Sequence, residues 1–268
     1  MYPETFKHRS KGFTLLEFLV VMVASIILLA MLTRFYKDIY RTYNTQEQVS
    51  ERNQNASYTL KKLSEVLQQA GAGLPPAGFN AITTIASPPK ITIGINPTGG
   101  EYFVNLVTPA PPLNKLPISD TALFNGASQV LIYFSSSLTS VTREISSRRK
   151  GLAGTLDTLI LKTNLPNPLK VADRIYAYRI DAYFVDQFNL VYRMGNLAAN
   201  DMVLAENIDS LGFTFKKVDG TSTTAWADMR SVMLTVRART MFPDPKYPAT
   251  GGYRKITLST NFLLRNKK

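Results

Sequence analysis

Twenty consecutive residues, Phe13 to Leu32, carry a single charged side chain, Glu17, and no Gly or Pro occurs anywhere from Phe13 to Ala70. Twenty residues of helix are about 30 Å long, the thickness of a bilayer's hydrocarbon core, so this run has the length of a membrane span. The uninterrupted stretch to Ala70 predicts one helix of about 87 Å at a rise of about 1.5 Å per residue. Gly71, then Pro75 and Pro76, stop it. Its outer half is amphipathic: Val49, Ala56, Leu60, Leu63, Leu67 and Ala70 recur at helical spacing, with Glu51, Lys61, Lys62 and Glu65 between them. The inner half therefore suits lipid, and the outer half offers one apolar stripe to a folded domain.

Two other readings of the run are weaker. A buried helix of a soluble protein would be shorter. A secretory signal would have an apolar core of about 7 to 15 residues ending at small residues, whereas this run continues into RFYKDIYRTY. Basic residues flank both ends, Lys7, Arg9 and Lys11 against Glu4 before it and Arg34, Lys37 and Arg41 after it, so charge asymmetry alone leaves the orientation open. Glu17 is the anomaly. A charged side chain at the centre of a membrane helix costs about 2.5–3.5 kcal/mol, less near its end, so an intramembrane carboxylate implies a partner or a polar niche.

Lys and Arg outnumber Asp and Glu by 31 to 19, with a pI near 9.8, which raises nucleic acid or an anionic membrane surface as partners. The bases are scattered. Their densest run, Arg143, Arg148, Arg149 and Lys150 in TREISSRRKG, reads as an exposed loop and a candidate basic patch. Cysteine is absent, which excludes disulfides and thiolate metal sites, and the only histidine, His8, lies ahead of the apolar run, so a chain cut there would also lack His-based nucleophile systems and the usual zinc ligand sets. No phosphate-binding loop is present; GLAGTLD (151–157) lacks the required lysine. Asp181, Asp186, Asp201, Glu206 and Asp209 lack the calcium-loop spacing. Trp226 and the tyrosines at 176, 178 and 183 could stack on single-stranded nucleic acid, but alternating aromatics on a sheet more often pack in a core. No metal, cofactor or catalytic constellation is expected.

Residues 71–128 hold 16 of the 30 Gly and Pro residues and read as a connecting region with a strand or two, at 91–95 and 101–107. From 129 to 268 the pattern turns to period two and β-branched residues. Strands are expected at 129–135, 155–163, 174–186, 188–194, 210–220, 230–240 and 254–266, with a hairpin at Asp186-Gln187. DMVLAENIDS (201–210) reads as a short helix or a loop. The fold class is α+β, a long N-terminal helix packed on an antiparallel sheet domain.

KGFTLLE, residues 11–17, with a basic leader before it and an apolar helix after it, resembles the class III signal of type IV pilins and type II secretion pseudopilins. The resemblance implies a leader of residues 1–12, recognised at Lys11 and Gly12 and cut between Gly12 and Phe13 by a prepilin peptidase on the cytoplasmic side. It also implies N-methylation of Phe13 by the same enzyme. Glu17 becomes the fifth mature residue, where the family carries a glutamate thought to pair with an N-terminal amine and set axial register during assembly. Major pilins often have a proline where this chain has Arg34, which argues against a major subunit. DTLIL (157–161), LVYRM, LAENIDSLGFTF, VMLTVRAR and a final strand ending LLRN follow the order seen in minor pilins of the W type and J-type pseudopilins.

That resemblance implies a non-catalytic subunit in the inner membrane, its C-terminal domain outside the cytoplasm, assembled at or near the tip of a pilus. Its partners would be other minor and major pilins, the prepilin peptidase and the inner-membrane assembly platform. A J-type pseudopilin of a type II secretion system is the nearest alternative. A DNA-capturing tip pilin would use the net charge, about +10 for residues 13–268, and would bind DNA with a steep salt dependence. A membrane-anchored enzyme is the remaining class.

Overall fold

The computed structural model describes residues 14–75, 78–85, 89–99, 101–104, 113–125, 127–152, 156–195 and 198–265. Lys11, Gly12 and Phe13 lie outside the described residues. The chain divides into two units, one before Glu51 and one over Glu51–Lys268.

Helix α1 runs from Leu15 to Gln69, 55 residues. Gly71 ends it in the left-handed region, φ 75°, where only a residue without Cβ sits unstrained. Ala70 and Ala72 donate to the carbonyls of Leu67 and Gln69 in a tightened last turn. Within the unit beginning at Glu51, Ala56, Thr59, Leu63 and Leu67 are buried at three- and four-residue spacing, the face the sequence pattern predicts.

The strands are β1 (Ile82–Ile85), β2 (Lys90–Ile95), β3 (Glu101–Phe103), β4 (Lys115–Ile118), β5 (Gln129–Phe134), β6 (Thr139–Arg149) and β7 (Asp157–Leu161). They continue with β8 (Arg174–Asp186), β9 (Asn189–Met194), β10 (Asp201–Ala205), β11 (Ile208–Lys216), β12 (Ser231–Arg239) and β13 (Lys255–Leu263). All pairings between them are antiparallel. β1–β10 form one sheet around β8, and β11-β12-β13 form a second. The N-terminal half of β8 lies between β3 and β5, and its C-terminal half between β2 and β9.

That placement accounts for the composition of RIYAYRIDAYFVD. Ile175 and Ala177 face one core with Leu116, Ile118, Phe124, Val130, Ile132 and Leu159. Tyr176 and Tyr178 face the other side, against Leu131 and Leu74. The largest core joins both sheets to α1: Leu63 and Leu67 pack with Ile91, Ile93 and Tyr183 of the first sheet and with Val232, Leu234 and Val236 of the second. Truncating a fully buried leucine such as Leu67 to alanine costs about 2–5 kcal/mol, because the space left is only partly closed.

Three expectations differ from the structure. TREISSRRKG is mostly strand, since β6 extends to Arg149, paired first with β5 and then with β7; its charged residues mark an exposed ribbon rather than a loop. DMVLAENIDS is strand β10 and the start of β11, because pairing with β9 overrides a weakly patterned local sequence. Among its described residues the Gly/Pro-rich stretch holds four short strands, β1 to β4, rather than one or two. In β2, Gly94 lies under the Tyr178 ring, where an added Cβ would come within 2.7 Å of it.

Candidate functional site

The described chain begins with a helix cap made by the residues the signal sequence supplies. The backbone N–H of Thr14 donates to Glu17 Oε2 at 2.9 Å, and the Thr14 hydroxyl donates to the same oxygen at 3.0 Å. In return the Glu17 N–H donates to Thr14 Oγ1 at 3.3 Å. This is a capping box, in which an N-cap hydroxyl and the carboxylate three residues on satisfy each other's backbone donors. Thr14-Leu15-Leu16-Glu17 carries its signature, Thr-x-x-Glu ahead of an apolar run; reading Glu17 by its charge alone missed it. The niche that an intramembrane carboxylate needs is thus present one helical turn away.

Beyond the cap the apolar side chains are bare. Leu15, Phe18, Leu19, Val20, Ile26, Leu28, Leu29 and Leu32 are each more than half exposed. The most apolar window of α1 has a mean hydropathy of 2.8 and none of it is buried; by length and composition α1 is able to cross a membrane. Its hydroxyls suit hydrocarbon: Ser25 donates to the Val21 carbonyl and Thr33 to the Leu29 carbonyl, both at 2.7 Å, so neither is left unsatisfied away from water.

The basic run is divided among different tasks. Arg143 donates through Nε to the Asn164 carbonyl at 3.0 Å and through Nη1 to that of Thr142. Arg148 donates through Nη2 to the carbonyls of Phe124, at 3.2 Å, and Ala127. Arg149 and Lys150 are exposed, and Lys150 lies near Asp157. Asp157 accepts from the Thr121 N–H and hydroxyl and from the Gly151 N–H, each at 2.8 Å. These bonds, led by the Thr121 N–H, hold its carboxyl below the ordinary aspartate range.

Several acids weighed as calcium ligands instead meet cations. Asp181 pairs with Arg179 through two bonds of 2.9 Å, Asp201 with Arg193 at 2.6 and 2.8 Å, and Asp209 with Arg237 and Lys255 at 3.3 and 3.0 Å. Tyr176, Tyr178, Tyr183 and Trp226 are buried and present no open stacking platform. Burial pushes the Tyr176 and Tyr178 hydroxyls up to about 12, with the Glu101 bond adding to the effect at Tyr176.

Helix α1 thus opens with a capping box, presents bare apolar side chains beyond it and continues into an α+β body. A family model, the prokaryotic N-terminal methylation motif, matches residues 7–33, which supports a type IV pilin-like protein. No curated protein and no solved structure matches this chain.

Proposed function

We propose that this protein is a minor pilin, a structural subunit that helps initiate or cap assembly of a type IV pilus. The methylation motif at 7–33, together with a helix whose most apolar window has no buried residue, carries the reading. Hydrolysis of the Gly12–Phe13 bond would leave a carboxylate on Gly12 and an ammonium on Phe13. Methyl transfer would replace one N–H of that amine and keep its charge. A carboxylate has about four acceptor sites, and Thr14 takes two at Glu17, so room remains for the new ammonium or a neighbouring subunit's. A Glu17 displaced along a stack of such helices would lose that amine, which favours correct register. The subunit would sit in the inner membrane with its C-terminal domain outside the cytoplasm, and then at the pilus tip among other pilins, after passing through the assembly platform. It would bring no catalysis of its own.

Intact mass and N-terminal sequence of membrane-extracted protein, from cells with and without a prepilin peptidase, test this. A peptidase-dependent start at methylated Phe13 supports the reading; an unchanged Met1 in both strains ends it. Separating the pilus role from that of a J-type pseudopilin requires deletion of the gene, with pilus number and protein secretion scored side by side.

A further inference from the structure

Directly after the apolar run, α1 carries RFYKDIYRTY, residues 34–43. At about 3.6 residues per turn, Phe35, Tyr36, Ile39, Tyr40 and Tyr43 fall in one arc of the helix. Arg34, Lys37 and Arg41 fall in the opposite arc. The five apolar and aromatic side chains are each more than half exposed, and the rings of Tyr36 and Tyr40 stack at 6.4 Å. None of the ion pairs formed among the described residues uses Arg34, Lys37 or Arg41. Three bases beside one acid, Asp38, form a compact positive group with a flat aromatic face behind it.

We propose that residues 34–43 are an interfacial anchor that binds an anionic phospholipid surface. In it the aromatic arc sits at the boundary between acyl chains and headgroups, and the three bases rest on lipid phosphates. The proposal depends on the reading of Phe13–Leu32 as a membrane span. If those twenty residues fill the hydrocarbon, the next two to three turns rise through the headgroup layer, where Tyr is favoured for its amphipathic ring. Helical side chains lean toward the N-terminus, here toward the bilayer, so Lys37 and Arg41 reach back to phosphates lying below their own Cα atoms. Bases on this side of the span also oppose the usual charge bias of membrane proteins. A specific electrostatic partner at that level removes the conflict. The anchor would fix how far the helix stands out of the membrane before assembly.

The chain has no cysteine, so a single introduced thiol is the only labelling site. Full-length protein with a spin label at Ala24→Cys, Tyr40→Cys or Arg41→Cys is reconstituted in bilayers of phosphatidylcholine with or without phosphatidylglycerol, and label depth is read from oxygen and nickel-chelate accessibility. A label at 24 outside hydrocarbon would mean that the span itself is misread. With 24 in hydrocarbon, labels at 40 and 41 are expected within the headgroup layer. Spin-labelled phosphatidylglycerol should then associate several-fold more than phosphatidylcholine, each base contributing up to about fivefold (about 1 kcal/mol). The triple variant Arg34→Gln, Lys37→Gln, Arg41→Gln should lose that preference. Equal association of the two lipids with the unmodified chain overturns the proposal, as does a preference that survives the triple variant. Dipolar broadening between label-40 sites of neighbouring copies, without lipid dependence, also overturns it and makes the aromatic arc a packing surface between helices.

Discussion

The guanidinium of Arg239 lies 3.3 Å from the centre of the Phe188 ring. Phe188 is the second residue of the two-residue turn joining β8 to β9, and both it and Gln187 have positive φ, 63° and 46°. A tight hairpin requires that geometry, which Asn-Gly would supply without strain; a bulky residue there is held by its surroundings. Arg239, on β12 of the second sheet, also stacks on Tyr253 at 4.4 Å, and the Phe188 carbonyl accepts from the Ile208 N–H at 2.7 Å. The stack thus joins the hairpin of one sheet to the strands of the other.

Arg239→Ala and Phe188→Ala should each destabilise the protein by about 1–2 kcal/mol, and the pair by less than their sum, since both remove one cation–aromatic contact. A double-mutant cycle on the full chain in detergent, followed through the single buried tryptophan, Trp226, checks this. Strict additivity would mean that the contact adds nothing to stability.

Asp173 is 1% exposed and accepts three bonds, from the Ser135 N–H at 2.9 Å, the Ser135 hydroxyl at 3.1 Å and the Lys170 N–H at 2.8 Å. Asp173→Ala strands two backbone donors and a hydroxyl, at a cost of about 3 kcal/mol or more. Asp173→Asn, which keeps one acceptor oxygen and turns the other into a donor facing a donor, should cost less. Chemical denaturation midpoints that rank the two in the opposite order would remove hydrogen bonding as the role of this residue.

Acid sensitivity should come in part from Asp157. Its carboxyl titrates below the ordinary 3.8 in the folded chain because of the Thr121 and Gly151 donors. Its stabilisation is therefore complete above that pH and is lost as pH falls through the lower folded value. Asp201, beside Arg193, and Asp244, held by the Lys246 N–H and Arg254, act in the same sense. Asp157→Asn should reduce proton uptake on unfolding as pH falls below the ordinary aspartate range, measured as a shallower slope of the denaturation midpoint against pH. An unchanged slope would refute it.

Arg148 and Arg149 are adjacent in sequence and should behave differently. Arg148→Ala removes the donor to two carbonyls, one of them on the buried Phe124, and should cost about 1–2 kcal/mol. Arg149→Ala should stay within about 0.5 kcal/mol. Equal losses in thermal unfolding would show that the run acts as one cluster.

Which parts were legible follows from the range of the forces involved. The extent of α1, its apolar stripe and the period-two strands were readable because each rests on repetition along the chain, which burial of one face imposes. The capping box was equally local, Thr14 and Glu17 being three residues apart, but reading Glu17 by its charge alone passed over it. The strand character of TREISSRRKG and DMVLAENIDS was not, because it depends on β5, β7 and β9 supplying hydrogen-bonding edges from elsewhere in the chain.

By itself, then, the sequence determined a long helix with an exposed apolar half, a cap that gives Glu17 its partners, and an antiparallel body. Its residues 7–33 match the prokaryotic N-terminal methylation motif. Only the tertiary structure decided that the helix joins two sheets through one core, that Arg143 and Arg148 serve carbonyls, and that Arg239 clasps Phe188. The physical reason is that these side chains find partners far away in sequence. Periodicity tells which face is buried, whereas the identity of what covers it depends on topology.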